Sequence, residues 1–424
     1  MLDEMTRKKY YAILNEELIP AMGCTEPISL AYAAAVARKT LGVRPKSAEI
    51  TVSGNIIKNV KSVIVPHTGG MRGIETAVAI GFIGGNADKE LEVLSDVSEE
   101  QIRELTAYLH NAILNVHQSA SDRLFEIVIK ASADGQNSEV TLQDGHTNIT
   151  CIEKNGEVIF SAGSDHDKIK KTDHSILTVE GIVEYAQNVP IDDVKQILDR
   201  QIELNTAIAK EGLSGNWGAS IGKILLETNG NTVSNRAKAW TAAGSDARMN
   251  GCELPVVINS SSGNQGMTAS LPVIVYAEEL NVSRDQLYRA LLISNLVTIH
   301  LKTGIGCLSA YCGAISAGCG AGAGITYLYG GGYNEIAHTI VNAVAINSGV
   351  ICDGAKASCA AKIASAVEAG ILGMNMYMHG SEFHGGDGIV VKGVENTIRA
   401  VCTLARDGMR FTDSEIIKLM LKNE

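Results

Sequence analysis

The sequence predicts an α+β protein, in which an N-terminal mixed α/β domain with antiparallel hairpins is followed by a mostly α-helical, Gly/Ala-rich domain. Its 424 residues exceed what one hydrophobic core usually organises. Apolar and polar residues alternate between residues 125 and 163, as in half-buried strands, whereas long Ala-, Gly- and Leu-rich segments follow residue 175. We therefore predict domains at 1–175 and 176–424, and the first helices could pack on the second domain.

The first hundred residues predict helices and then short strands. Apolar residues recur at helical spacing over 5–18 and 27–41. Thr25 and Pro27 are helix-start signals, so Cys24 should lie just ahead of a helix N-terminus. The next predicted elements are strands at Glu49–Val52, Lys61–Val65 and Leu91–Leu94 and a helix near 98–116.

The segment from 125 to 163 predicts a series of antiparallel hairpins. Four runs alternate with period two, at 125–132, 138–143, 147–154 and 157–163. The predicted turns are Asp134-Gly135, Asp144-Gly145 and Asn155-Gly156, since Asp-Gly and Asn-Gly suit the positive φ angles of tight hairpins.

Composition favours a small-molecule ligand. The formal net charge is −11, which argues against a nucleic-acid partner or an anionic membrane surface, because those require clustered Lys and Arg. The uncharged stretch from Thr303 to Asn334 is long enough to span a bilayer, but ten of its residues are Gly, so we expect buried helices and no membrane span. The N-terminus lacks the pattern of a secretory signal, which predicts a cytoplasmic protein with reduced cysteines.

Three cysteines stand out by their spacing. Cys352 and Cys359 are seven residues apart, so they face one way if helical, although Asp353 and Gly354 could form a loop instead. With Cys312 they make three thiols without a close fourth, which suits a structural zinc site poorly and a cluster with one open iron better. The alternative is that they are small core residues. That is what we expect of Cys151, Cys252, Cys307, Cys319 and Cys402.

Six segments between residues 20 and 360 carry a resemblance to a known family. They are GCTEP at 23–27, SGNIIKN at 53–59, VPHTGG at 65–70, NSSSGNQG at 259–266, AYCG at 310–313 and CDGAKASC at 352–359. In order and composition the sequence resembles the L-cysteine desulfidase family, which is related to the iron–sulfur L-serine dehydratase alpha chain. The resemblance implies that Cys312, Cys352 and Cys359 ligate a [4Fe–4S] cluster and that Cys24 is a candidate acid/base.

The implied activity is β-elimination of L-cysteine to pyruvate, ammonia and hydrogen sulfide. Such a reaction needs a base for the α-proton, a stabiliser for the carbanion and help for the leaving group, and an open iron could act as Lewis acid for the last two. The alternatives are a serine dehydratase of the same mechanism, a pyridoxal-phosphate lyase with Lys302 or Lys356, and a non-catalytic amino-acid-binding relative. The expected partner is a small amino acid, and a homo-oligomer is possible.

Residues for acid/base chemistry and substrate binding are predicted from local chemistry. A helix N-terminus favours thiolate over thiol, so the pKa of Cys24 should fall, unless Cys24 is only a packing residue. Loop side chains with neighbouring Gly could bind the charged ends of the substrate, although ordinary polar turns have the same composition. The candidates are Asn55, His67, Thr68, Ser260, Ser261 and Asn264.

Overall fold

The computed structural model describes residues 2–162, 172–306 and 308–422. Cys307 and residue 163, the last of the fourth alternating run, lie outside these ranges. The N-terminal part combines helices with a sheet and the C-terminal part is mostly helical, which confirms the predicted α+β class.

The N-terminal elements in chain order are α1 (Glu4–Glu17), β1 (Pro20–Met22), α2 (Thr25–Leu41), β2 (Ser47–Val52), α3 (Gly54–Val60), α4 (Ile74–Gly84), α5 (Glu99–Asn111), β3 (Ile113–Gln118), β4 (Glu126–Ala133), β5 (Gln136–Gln143), β6 (Ile149–Lys154) and β7 (Glu157–Ser161). The C-terminal elements are α6 (Val179–Asn188), α7 (Ile191–Ser214), α8 (Ile221–Asn229), α9 (Val233–Met249), β8 (Pro255–Val257), α10 (Gly263–Glu279), α11 (Arg284–Ile305), α12 (Gly313–Leu328), α13 (Tyr333–Asn347), α14 (Cys359–Met378), α15 (Val394–Thr403) and α16 (Arg410–Lys422).

Within the described residues, six strands form one sheet in the order β3-β2-β4-β5-β6-β7. β2 and β3 are parallel, and the other neighbours are antiparallel. Asp134 and Gly135 connect β4 to β5 with positive φ angles, as a tight hairpin requires. The alternating residues Ile127, Ile129 and Val140 are fully buried, on strands that pack against α2. The period of two in the sequence thus predicted the hairpins because one face of the sheet is covered.

Two of the predicted strands are wrong. Lys61–Val65 forms a turn in which Ile64 makes an isolated bridge to Arg72, and Leu91–Leu94 overlaps the short 3₁₀ segment Ala87–Glu92. Val63 and Leu94 are nevertheless fully buried, so their apolar character reflects packing of a turn rather than a strand. The helix predicted near 98–116 is α5, which ends earlier because the residues from Ile113 onward pair with β2.

A second, two-stranded sheet joins the two parts of the chain. β1 pairs antiparallel with β8, so that Pro20 lies opposite Val257 and Met22 opposite Pro255. Since Cys24 follows β1 closely and α10 follows β8, this pairing brings the start of α2 beside the start of α10. Tyr10 of α1 also packs on Tyr185 of α6, with ring centroids 5.2 Å apart. A boundary near residue 175 remains a prediction.

The C-terminal part is organised around the buried helix α12, which packs against α10, α11, α13 and α14. Its glycines allow unusually close approach of neighbouring backbones. A Cβ at Gly318 would lie 2.2 Å from the carbonyl oxygen of Ala366, and one at Gly320 would lie 2.4 Å from that of Ser294. The Gly-rich helix α12 within the uncharged stretch therefore forms helix–helix interfaces. Among the described residues, no helix combines the length and the apolar character needed to cross a membrane.

The last helix, α16, packs on α3. Lys58 and Asp413 form a buried ion pair with an Nζ–Oδ1 distance of 2.5 Å, and the Lys61 Nζ donates to the carbonyl oxygen of Met420 at 2.6 Å. Burial of both charges makes their mutual pairing important, because either one alone would be left uncompensated. The C-terminal helix thereby fixes α3 in place.

Candidate active site

A cavity of about 110 Å³ lies where several helices begin. Residues at the starts of α2, α10, α12 and α14 line it, together with Lys58 and Asn59 of α3, Arg248 of α9 and Lys302 of α11. A larger groove of about 690 Å³ between α7, α10 and α11 contains none of the predicted site residues. The small cavity is therefore the candidate active site.

Cys312, Cys352 and Cys359 all line this cavity. The Cys312 N–H donates to the carbonyl oxygen of Val350 at 3.0 Å and the Cys352 N–H donates to that of Ala310 at 2.6 Å, on either side of an isolated β-bridge. Cys352 lies in a loop and Cys359 is the first residue of α14, so the loop alternative holds for this segment. Burial, followed by the charge of Cys352, raises the pKa of Cys312 to about 12.

The donor set fits an iron–sulfur cluster. No three or more His, Cys, Asp or Glu side chains in residues 2–162, 172–306 and 308–422 converge closely enough to hold one metal ion. A cluster presents a separate iron to each cysteine, so its ligands stand farther apart than those of one ion. Three thiols lining one cavity, on backbone fixed by a bridge and a helix start, are suitable soft ligands for such a group.

Four helix N-termini surround the cavity without a side-chain cap among the described residues. Their N-cap residues are Cys24 of α2, Ser262 of α10, Cys312 of α12 and Ser358 of α14. The first N–H groups of a helix lack partners within it, and the helix dipole places partial positive charge there. The cavity thus favours anionic groups such as thiolates and carboxylates.

Cys24 and Glu26 form a hydrogen-bonded pair at the start of α2. The Cys24 thiol donates to Glu26 Oε2 at 3.1 Å, and the Asn59 amide donates to Oε1 at 3.1 Å. Burial, followed by the negative charge of Glu26, raises the pKa of Cys24 well above its usual value. The expectation that the helix N-terminus lowers this pKa is therefore wrong, because desolvation outweighs the dipole in a fully buried position. In the resting protein Cys24 is a thiol.

His146, from the six-stranded sheet region, also lines the cavity. It lies in the connection between β5 and β6, is 7% exposed, and packs edge-on against Phe125. Its Nε2 lies 3.7 Å from Glu26 Oε1, an ion-pair distance that is too long for a hydrogen bond. Burial raises the pKa of Glu26, but the polar contact with His146 and the charge of His146 lower it more, to about 2. Glu26 is therefore ionised although buried.

The predicted substrate-binding residues divide into two groups. Ser260, Ser261 and Asn264 line the cavity at the start of α10, and the Thr25 hydroxyl donates to the Ser261 carbonyl oxygen at 3.1 Å. Ser260 and Ser261 both have positive φ, which turns the chain sharply into the helix. The hydrogen bond between Thr25 and Ser261 thus connects the start of α2, beside Cys24, with the start of α10.

Asn55, His67 and Thr68 lie outside the residues that line the cavity. The Thr68 hydroxyl closes a turn by donating to the Val65 carbonyl oxygen at 2.6 Å, and His67 Nδ1 lies 3.3 Å from Glu253. The neighbouring Pro66 packs so closely on Gly23 that a Cβ at Gly23 would lie 2.3 Å from its Cγ. These contacts indicate that the VPHTGG segment supports the turn before Cys24, and substrate binding by Asn55, His67 and Thr68 stays a prediction.

Comparison with known proteins places the chain in a family. Residues 88–418 match the family model described as "Serine dehydratase alpha chain". The chain belongs to the serine dehydratase alpha chain family. A protein of Desulfitobacterium hafniense is 57% identical over 97% of this chain and 96% of its own length, and one of Lachnoclostridium phytofermentans is 50% identical over 98% and 99%. A Treponema denticola protein is 46% identical over the full length of both chains. All three are named UPF0597 proteins.

Membership of the serine dehydratase alpha chain family confirms the predicted resemblance at this level. The matched range contains the three cysteines and Arg248, and the full-length relatives also cover Cys24 and Glu26. Sequence reasoning missed His146 and Arg248. Each is a single residue, one in an apparently ordinary Asp-Gly turn and one at the end of a helix, so no local spacing signals a shared site.

Proposed function

We propose that this protein is an iron–sulfur-dependent lyase that eliminates sulfide from L-cysteine, giving pyruvate, ammonia and hydrogen sulfide. One observation carries the proposal: Cys312, Cys352 and Cys359 line the same small cavity as Cys24, although nearly three hundred residues separate Cys24 from Cys312. The four uncapped helix N-termini around it supply the positive environment that thiolate ligands and an anionic substrate group require. When bound, the cluster would supply an open iron as a Lewis acid for the developing negative charge.

The chain's own residues would bind the amino acid and handle the proton. Elimination breaks the Cα–H and Cβ–S bonds, so a group near the α-carbon must accept a proton while the sulfide leaves with the C–S electron pair. The aminoacrylate that remains tautomerises and is hydrolysed to pyruvate and ammonia. Cys24 is the proposed acid/base, and its thiol is oriented by the bond to Glu26. Accepting the α-proton requires the thiolate form, which the nearby positive charge of Arg248 favours against burial and Glu26.

The family description supports a second candidate, the elimination of water from L-serine by the same site. Hydroxide is a poorer leaving group than sulfide, and the two substrates are otherwise matched in size and charge. Anaerobic purification, iron and sulfide analysis, and pyruvate assays with L-cysteine and L-serine side by side distinguish the two activities. Release of pyruvate from neither substrate by iron-loaded protein would contradict both and favour a non-catalytic amino-acid-binding relative.

The cluster assignment has its own test. Replacing Cys312, Cys352 or Cys359 with Ala should abolish iron retention and activity together, since each thiolate would hold one iron. Cys402→Ala is the matched control, because Cys402 is a buried thiol of α15 that does not line the cavity. A Cys352→Ala protein that is fully iron-loaded and active would contradict the assignment.

Location and assembly remain predictions. Reduced cysteines and a proposed thiolate-bound cluster suit the cytoplasm, where the thiol pool is reducing. A small amino acid is the proposed partner, and a homo-oligomer remains a prediction that sedimentation or light scattering would check.

A further inference from the structure

Arg248, close to the end of α9, is a buried cation in the wall of the cavity. It is 2% exposed, and its Nη1 donates to the Asn264 side-chain oxygen at 3.2 Å. Its Nε has no hydrogen-bond partner, and no carboxylate lies within ion-pair distance of the guanidinium among the described residues. Burying a guanidinium costs free energy unless it is paired with an anion. The structure therefore indicates that an anionic group of a ligand in the cavity pairs with Arg248.

The unpartnered Nε lies beside the uncapped start of α10. A Cβ at Gly263, the first residue of that helix, would lie 2.4 Å from this nitrogen and 2.8 Å from the guanidinium carbon. Because Gly263 has no side chain, the guanidinium can lie directly against the N-terminus of α10, where Ser262 makes no side-chain cap. Two independent donors of positive charge, a guanidinium and a helix start, thus meet at one wall of the cavity.

We propose that Arg248 binds the α-carboxylate of the amino-acid substrate, together with the first N–H groups of α10. The guanidinium presents several donors in a planar fork that matches a carboxylate, whereas a Lys would offer a single point charge. The identity of the substrate rests on the proposed function, but the binding of a carboxylate by Arg248 does not depend on which bond the enzyme breaks.

The position of Arg248 also orients the reaction. Its charge acts on the Cys24 thiol, which lines the same cavity. A carboxylate held by Arg248 would place the α-carbon one bond away, within the cavity that Cys24 and Glu26 also line. Glu26, as the ionised carboxylate of this site, is then suited to face the substrate ammonium.

Binding of L-alanine and of ethylamine tests the proposal, because the two differ only in the carboxylate and neither has a leaving group. Ligand-observed NMR on anaerobically prepared protein gives both dissociation constants. Hydrogen bonds between charged groups predict that the wild type prefers L-alanine by roughly 10- to 100-fold. Arg248→Met should lose most of this preference, and Arg248→Lys, which keeps the charge, should keep part of it.

Arg236→Met is the matched control, because Arg236 lies on the same helix but pairs with Glu279 and does not line the cavity. It should keep the full preference. An undiminished preference in Arg248→Met would overturn the proposal, as would a wild type that binds the two ligands equally. If the Met variant does not fold, an undiminished preference in Arg248→Lys has the same meaning. Arg248-dependent binding without release of sulfide from L-cysteine would instead contradict only the proposed activity.

Discussion

Replacing Glu26 with Gln should remove a carboxylate that the fold keeps ionised in a buried position. Glu26 is 8% exposed, accepts hydrogen bonds from Cys24 and Asn59, and has His146 Nε2 at 3.7 Å. Burial raises its pKa, but the polar contact with His146 and the charge of His146 lower it more, from 4.5 to about 2. The variant has the same shape without the charge.

The effect on stability depends on pH in a defined direction. A carboxyl whose folded-state pKa lies below its unfolded-state value contributes stability above the unfolded pKa, and this contribution is lost as the pH falls towards the folded pKa. A drop from 4.5 to about 2 corresponds to about 3 kcal/mol of unfolding free energy at neutral pH. Between pH 6 and pH 3.5, roughly 1–2 kcal/mol of that should disappear.

Urea unfolding of iron-free protein at pH 6 and pH 3.5 measures the effect. The unfolding free energy of the wild type should fall by roughly 1–2 kcal/mol more than that of Glu26→Gln over this interval. Glu415→Gln is the control, because Glu415 forms an exposed ion pair with Lys418. The difference in unfolding free energy between this variant and the wild type should be nearly the same at both pH values. If wild type and Glu26→Gln lose stability in parallel, the carboxylate is not held ionised by His146 and the reasoning fails.

Three further predictions follow from buried groups. Cys24→Ala should retain iron and substrate binding but lower kcat by roughly 10²–10⁴-fold. It should also abolish exchange of the substrate α-hydrogen with solvent deuterium. Normal rates of elimination and exchange in this variant would show that Cys24 is only a packing residue. Asp413→Ala should lower the unfolding free energy by about 3–5 kcal/mol, because it leaves Lys58 buried and unpaired, and a loss below about 1 kcal/mol in urea unfolding would refute this. Burial raises the pKa of Asp246 to about 6, so its ionisation costs stability as the pH rises. Between pH 4 and pH 8, the unfolding free energy of Asp246→Asn should rise by up to about 3 kcal/mol relative to that of the wild type. If the difference between the two unfolding free energies does not change with pH, the prediction is wrong.

The sequence predicted the parts of the fold that depend on a local alternation of apolar and polar residues. The hairpins from β4 to β7 follow from alternation and from Asp134-Gly135 and Asn155-Gly156, which fix the turns. Lys61–Val65 has strand-like composition but joins no sheet among the described residues, and Val63 and Val65 are buried by tertiary packing instead. Pairing of a short segment depends on neighbours that lie far along the chain, so composition alone could not distinguish the two cases.

The site was predictable only where several residues form one motif. The segments around Cys24, Ser260 and the three cysteines are recognisable as runs, and they meet at the cavity because β1 pairs with β8 and because α12 and α14 pack together. His146 and Arg248 enter from a hairpin and a helix end without any such run. Their role follows from buried nitrogens without a hydrogen-bond partner, Arg248 Nε and His146 Nε2, which only the folded chain reveals.

The charges of the cavity explain why Glu26 and Cys24 differ in protonation. Both groups are buried, and desolvation opposes the charged form of each. Glu26 has His146 beside it and a hydrogen bond from Asn59, whereas Cys24 faces the negative charge of Glu26 itself. Of these two groups, the carboxylate therefore holds the negative charge and the thiol holds the proton. A substrate ammonium facing Glu26 would weaken the repulsion that keeps Cys24 protonated, whereas a substrate carboxylate on Arg248 would offset the positive charge that favours the thiolate. The ammonium of the bound substrate is therefore the group that would favour the thiolate needed to remove the α-proton.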